Sequence, residues 1–352
     1  EGLTVFRDSQ FTADMRSEPV KRIGDALDLR GRQFREDGGP LAHPVRPESF
    51  KEINNFYTAT VYEKGAEVIG MLKRLVGDEA YAKALDLYFD RHDGQACTIE
   101  DWLKVFEDAT GRDLSQFKLW YSQAGTPKVT MSEDWDGATY TVTLKQQVPP
   151  TPGQPEKAPQ VIPFALGLLD PSGKEVQPTT LLELTEAEQS FTFKGLKDRP
   201  IPSPLRGFSA PVILDRETTN EERAFLLAHD TDPFARWEAG RQLAKSALIA
   251  MIDGGQAPDA AYLDALRQLV KDETLDPAFR ALTMALPSED DLAQTFADMG
   301  RTPDPQTIWD GREAMRGAVA EVLKDDLTLL YAANTVTEPF RPNAEQGGKR
   351  SF

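Results

Sequence analysis

Two changes of hydrophobic period divide this chain. Up to Gln123 apolar residues return at steps of three and four, from Pro127 they alternate or run in β-branched blocks, and after Asp215 the helical step comes back. A period of 3.6 does not settle as a strand and a period of two does not settle as a helix, so the order helical, β, helical is imposed along the sequence. At 352 residues the chain is long enough for two or three domains, each with its own core. The expected divisions are 1–123, 124–214 and 215–352.

The strongest helical pattern lies between Asn54 and Val76. Val61, Gly65, Val68, Leu72 and Leu75 share one face, while Glu63, Lys64, Lys73 and Arg74 fall elsewhere. Thr60 followed three residues later by Glu63 has the form of a capping box, so the helix is expected to begin at or just before Tyr62. A tyrosine in a first turn can pack its ring on the helix and aim its hydroxyl into a cleft, ready to donate to a developing oxyanion, or it can simply pack. Upstream, Ser17-Glu18-Pro19 leads into a stretch that reads as loop-rich through Asp37-Gly38-Gly39-Pro40, and Pro40, Pro44 and Pro47 exclude regular helix around His43. Downstream, a helix is expected over Ala80 to Arg91, and Thr98 with Asp101 caps another that Gly111 ends.

In the middle segment, Lys128–Ser132, Thr139–Gln146, Ile162–Leu169 and Gln189–Phe193 read as strands of a small all-β domain, with Asp136-Gly137 and Asp170-Pro-Ser-Gly173 as turns. Pro200 to Leu214 reads as the last strand, and Pro149 to Pro155 as a solvated, proline-rich loop. From Thr219 onward short amphipathic helices follow one another, including one read from Thr307 to Tyr331, and suggest a solenoid-like array without a fixed-period repeat.

Forty Lys and Arg stand against 57 Asp and Glu, a net charge of −17 with no basic cluster, which argues against nucleic acid and against anionic membrane surfaces. Cys97 is the single cysteine, so no intrachain disulfide forms. No apolar run approaches the ~18 residues of a membrane span, and no stretch of these residues reads as a signal peptide, which says little about the parent. The chain opens on Glu1, inside what reads as a helix, and is expected to be a fragment cut at both ends.

Three stretches carry a resemblance. VYEKGAEVIGML from Val61 is similar to the segment holding the catalytic tyrosine of the aminopeptidase N family, the gluzincin zinc metallopeptidases. EGLTVFRDSQF from Glu1 looks like the segment of that family's third zinc ligand. WYSQAGTPKV, Trp120 to Val129, resembles the junction where its catalytic domain passes to a β-domain. Order and spacing agree, and the likeness is greatest to the bacterial alanyl-type branch.

The resemblance implies the C-terminal helical half of a thermolysin-like catalytic domain, then a small β-sandwich, then a truncated solenoid-like helical domain. It further implies Glu1 as zinc ligand, Tyr62 as oxyanion stabiliser and Tyr57 as a wall of the pocket for the substrate's first side chain. One zinc ion per parent molecule, peptide substrates, a cytoplasmic monomer and no nucleic-acid or membrane partner complete that expectation. The family's HExxH is absent, and His43, His92 and His229 are scattered, so the 352 residues alone are expected to be inactive and to bind zinc weakly. The family's glycine-rich motif for gripping the substrate amine is absent too. Within the clan the alternative is a leukotriene-type epoxide hydrolase, against which the β-domain argues. Outside it, the alternative is a non-catalytic scaffold that binds a protein partner through the β and helical domains.

Overall fold

In the computed structural model of the chain, residues 1–254, 258 and 260–351 are described. They form two compact units, one of Glu1–Ser9, Asp25–Pro171 and Val176–Arg216, the other of Gln10–Gly24, Ser172–Glu175 and Glu217–Phe352. The multidomain order of helices, small β-sandwich and helical array expected from the two changes of period is the one observed. Among the described residues no helix is long and apolar enough to cross a membrane.

In the first unit the helix Gly65–Val76 is the organising rod. The sequence shows one apolar stripe on it, but Gly65 to Leu72 are buried without a gap, so this stretch has no solvent face. Helices Asp78–His92 and Ile99–Thr110 add an aromatic core in which Tyr88 meets Trp102 at 5.2 Å between ring centroids and Trp102 meets Phe106 at 4.7 Å. Thr98 caps the latter helix as expected: its side chain accepts from Asp101 N at 3.2 Å, and Asp101 Oδ2 accepts from Thr98 N at 2.9 Å.

The stretch read as a loop before Asp37 is helical instead. It comprises Glu18–Asp28, a π-turn Leu29–Gln33 and a short turn Phe34–Asp37. Pro19 suits the first turn of a helix, and Ile23, Ala26, Leu29 and Gln33, all buried, return at the helical step that the glycines and charges between them obscure.

The β-sandwich has seven strands: β1 Lys128–Trp135, β2 Thr139–Gln147, β3 Ile162–Leu169, β4 Glu175–Leu184, β5 Glu188–Lys194, β6 Ile201–Pro204 and β7 Ile213–Asp215. One sheet runs β5-β2-β1-β7 and the other β4-β3-β6. β4 escaped the sequence reading because Pro178 interrupts it, which an edge strand tolerates. The single last strand read from Pro200 to Leu214 is two strands in different sheets, separated by a kink at Leu205 to Phe208 where three residues have positive φ. The Pro149–Pro155 loop is not a free solvated insertion, since Gln154 Nε2 donates to Ser122 O at 2.8 Å and Lys157 Nζ to Ala124 O at 2.8 Å. Gln123 closes the same strap from the other side, donating to Ala158 O and accepting from Ala158 N at 2.7 Å.

In the second unit, helices Asn220–His229, Pro233–Gly254, Ala260–Lys271, Pro277–Met284 and Glu289–Asp298 pack around a core that includes Leu243, Leu248, Leu266, Leu269 and Leu292. The helix read from Thr307 to Tyr331 is broken into Pro305–Val322 and Lys324–Asn334 at the buried Leu323, whose backbone leaves the helical region.

Candidate active site

The site begins with two glycines. Gly2, near the start of the helix Gly2–Met15, lies against Gly65, and a Cβ at Gly2 would run into the Gly65 backbone at 2.5 Å. Glycine inside a helix costs about 1 kcal/mol, and here it permits a backbone approach that any side chain would forbid. The crossing brings Glu1 to Tyr62. Partial desolvation first, then the neighbouring Glu1 carboxylate, with Tyr57 and Glu63 acting in the same direction, hold the Tyr62 phenol above its ordinary pKa. The hydroxyl therefore stays protonated and remains a donor at neutral pH.

Tyr57 lies beside it, its ring centroid 6.3 Å from that of Tyr62 and more than half of its surface exposed. Phe56 and Phe50 extend the aromatic run, at 5.9 Å from Tyr57 and 6.1 Å from Phe56 respectively. The three candidate residues Glu1, Tyr57 and Tyr62 are thus brought together.

Tyr62 is carried by a π-turn, Thr60–Lys64, that leads into the central helix. Turns of this wide type are uncommon and recur at functional sites. The expected Thr60–Glu63 capping box does not form. Thr60 N and Oγ1 both donate to Glu36 Oε1, at 2.9 and 2.5 Å, and Gln33 Nε2 donates to Thr60 Oγ1 at 3.2 Å. Glu63 meets Arg32 at 3.5 Å instead, and Thr58 Oγ1 accepts from Val61 N at 3.3 Å. A partner distant in sequence has displaced the local one, and the spacing could not show that.

His43 stands behind this turn. Its Nδ1 lies 2.8 Å from Leu41 O, which can only accept, and its Nε2 lies 2.8 Å from Thr58 Oγ1. One ring nitrogen holds a backbone carbonyl and the other a threonine hydroxyl. His92 lies against Tyr88 and His229 against Phe225.

Zinc, which the resemblance implies, needs three or four protein donors. Among the described residues no group of three or more His, Cys, Asp or Glu could hold a metal ion, and Glu1 is a single carboxylate. The residues present do not by themselves fit a zinc ion. What they can do is present a donor hydroxyl beside a carboxylate and an aromatic wall.

The signal that could have located the crossing was in the sequence: Glu-Gly at the start and Lys-Gly in the central helix put glycines at helical positions with no turn to justify them.

Residues 1–121 match the peptidase family M1 domain, residues 125–217 a domain of unknown function with an Ig-like fold, and residues 220–352 a domain of unknown function with ARM repeats. Aminopeptidase N of Escherichia coli (strain K12) is 42% identical over 366 residues, covering 100% of this chain and 42% of that protein. Aminopeptidase N of Caulobacter vibrioides is 46% identical over 358 residues, covering 100% of this chain and 41% of that protein. The crystal structure of Legionella pneumophila aminopeptidase A in complex with aspartic acid matches with a TM-score of 0.82 at 27% identity, covering 100% of this chain and 40% of that one. The chain thus spans about two-fifths of the length of these relatives. Along its whole length, from helical peptidase segment through Ig-like sandwich to ARM-like array, it belongs to the aminopeptidase N family of M1 peptidases.

Proposed function

We propose that this chain is part of a zinc-dependent aminopeptidase that removes amino-terminal residues from peptides, organised as 1–123, 124–214 and 215–352. The observation that carries the reading is the close crossing of two helices, glycine on glycine, which sets the Glu1 carboxylate near the Tyr62 phenol with the Tyr57 ring beside it. Glu1 would be this chain's ligand to the zinc ion, which would supply an activated water. Tyr62 donates to the oxyanion that develops on the scissile carbonyl, and its packed ring keeps that donor fixed before the reaction begins. Tyr57 walls the pocket for the first side chain of the substrate. The net charge of −17 without a basic cluster supports a protein that binds neither nucleic acid nor anionic membrane, and a cytoplasmic monomer is part of the proposal.

The test is Tyr62→Phe in the full-length gene product, assayed on alanyl p-nitroanilide. We expect kcat to fall about 10²–10³-fold with KM little changed, because the hydroxyl is used in the transition state and the ring stays packed. Zinc content and the thermal melt stay as in the wild type. A kcat near the wild-type value, or a loss traceable to unfolding, overturns the reading, as would stoichiometric zinc and turnover by the 352 residues alone.

A further inference from the structure

Behind Tyr62 lies a charge pair with almost no access to water. The side chain of Lys64 is 1% exposed and that of Asp37 0%, and Nζ stands 2.7 Å from Oδ2. Lys64 Nζ also donates to Gly125 O at 2.9 Å, Thr126 Oγ1 donates to Asp37 Oδ2 at 2.9 Å, and Gly125 N reaches Asp37 Oδ1 at 3.3 Å. Burial alone would raise the Asp37 carboxyl. The charge of Lys64 and the hydrogen bonds from Lys64, Gln33 and Thr126 outweigh it, so the carboxyl lies below its usual range and the pair is ionised. Apolar side chains of similar size commonly serve stability as well as a buried pair does, so stability alone does not account for one here.

Its place in the chain supplies an account. Lys64 closes the wide turn Thr60–Lys64, two positions after Tyr62. Residues two apart on a helix do not face one another, so the ammonium is fastened at the back of the turn whose front carries the phenol. The far end of the fastening is Gly125-Thr126, in the stretch that passes to the β-sandwich. Gly125 has a φ of +95°, and Val148 and Thr151 crowd the space where its side chain would be, so this carbonyl is itself fixed from the sandwich side. Thr60, at the start of the turn, is held by Glu36 and Gln33, and Gln33 closes the second π-turn.

We propose that the buried Lys64–Asp37 pair is the positioning device for Tyr62: it locks the wide turn to the Gly125–Thr126 junction and so fixes the direction in which the phenol leaves the helix. A wide turn carries one residue more than an α-turn. Released, it can close to α-geometry, which rotates the residues before Gly65 by about 100° and swings Tyr62 away from Glu1. The catalytic consequence rests on the proposed role of Tyr62, while the structural consequence does not.

The test replaces the pair by apolar residues, Lys64→Met with Asp37→Leu, in the full-length gene product. We expect the crystal structure of the variant to show an α-turn with the Tyr62 hydroxyl turned away from Glu1. We expect kcat to fall about 10²-fold with KM little changed, the usual effect of misplacing a catalytic group. In a Tyr62→Phe background the same replacement changes kcat less than about twofold, since residues that act as a unit are not additive. A wide turn that persists with Tyr62 still directed at Glu1 overturns the proposal, and so do losses that multiply. If the unsubstituted gene product cleaves no peptide, the proposed function fails while the crystallographic comparison still decides the positioning. If the apolar pair does not fold, Asp37→Asn keeps the shape and removes the charge, and an unshifted Tyr62 in that variant counts against the proposal in the same way.

Discussion

Thr98 opens the helix Ile99–Thr110 and takes its partner from within the same turn, Asp101. Thr60 opens the turn that carries Tyr62, and its partners are Glu36 and Gln33, which belong to a different helical segment. Each threonine precedes an acidic residue by three positions. The second unit follows the pattern of Thr98, for Thr219, Asp276, Ser288, Asp304 and Asn343 each cap the helix they precede. A helix that only has to start can cap itself. A turn that must point one side chain in one direction is held from outside, by groups the fold delivers, and the cost is a set of buried polar side chains that must all be satisfied.

The sharpest way to break this contrast is Lys64→Met with Asp37 left in place. An unpaired buried carboxylate remains, and we expect a loss of about 3–5 kcal/mol in denaturant unfolding of the first unit. A loss under about 1 kcal/mol would mean that the cage is not what holds the turn. Thr60→Ala comes next, at about 2–3 kcal/mol, because it strips a hydrogen bond from a charged acceptor and takes from the buried Gln33 the acceptor of its side-chain amide. Thr98→Ala sets the scale for a self-capped helix at about 1 kcal/mol by the same measurement. If Thr60 and Thr98 cost the same, the two turns are not built differently after all.

The smallest effect is on pH. Lys157, in the strap beside Ala124, has its pKa pushed down to about 8 by desolvation and then by the like charge of Lys64, with Asp37 pulling the other way. A lysine depressed in the folded state binds its proton more weakly there than when unfolded, so stability rises with pH across the window between the two values. Relative to Lys157→Met, the wild type should therefore gain stability from pH 8 to about pH 10.4, the ordinary lysine value, and lose it again on the way down. No slope would mean that Lys157 is effectively solvated, and an opposite slope that its acceptors on Ala124, Thr151 and Gln154 outweigh the desolvation.

Much of the fold was legible because its signals are local. Ile162–Leu169 is apolar throughout and is a fully buried strand, and Thr98 with Gly111 bounds its helix by cap and stop. The misses have local causes too. Pro178 hid an edge strand, and Leu323 ends one helix and starts another without glycine or proline to mark the break. At the candidate site, Glu1, Tyr57 and Tyr62 were reached through resemblance to a family, while the residues that hold them, Gly2, Gly65, Lys64 and Asp37, were not singled out as a group.

By itself the sequence determined the succession of helical, β and helical segments, since side-chain period is a property of consecutive residues. Its acidity and single cysteine likewise follow from counting. Tertiary structure alone decided that Thr60 would bind Glu36 in preference to Glu63, that Lys64 would be buried against Asp37, and that Glu1 would meet Tyr62. Each of these is a choice between a partner close in sequence and one brought close in space, and the energy of such a contact depends on burial and geometry that no window of consecutive residues contains.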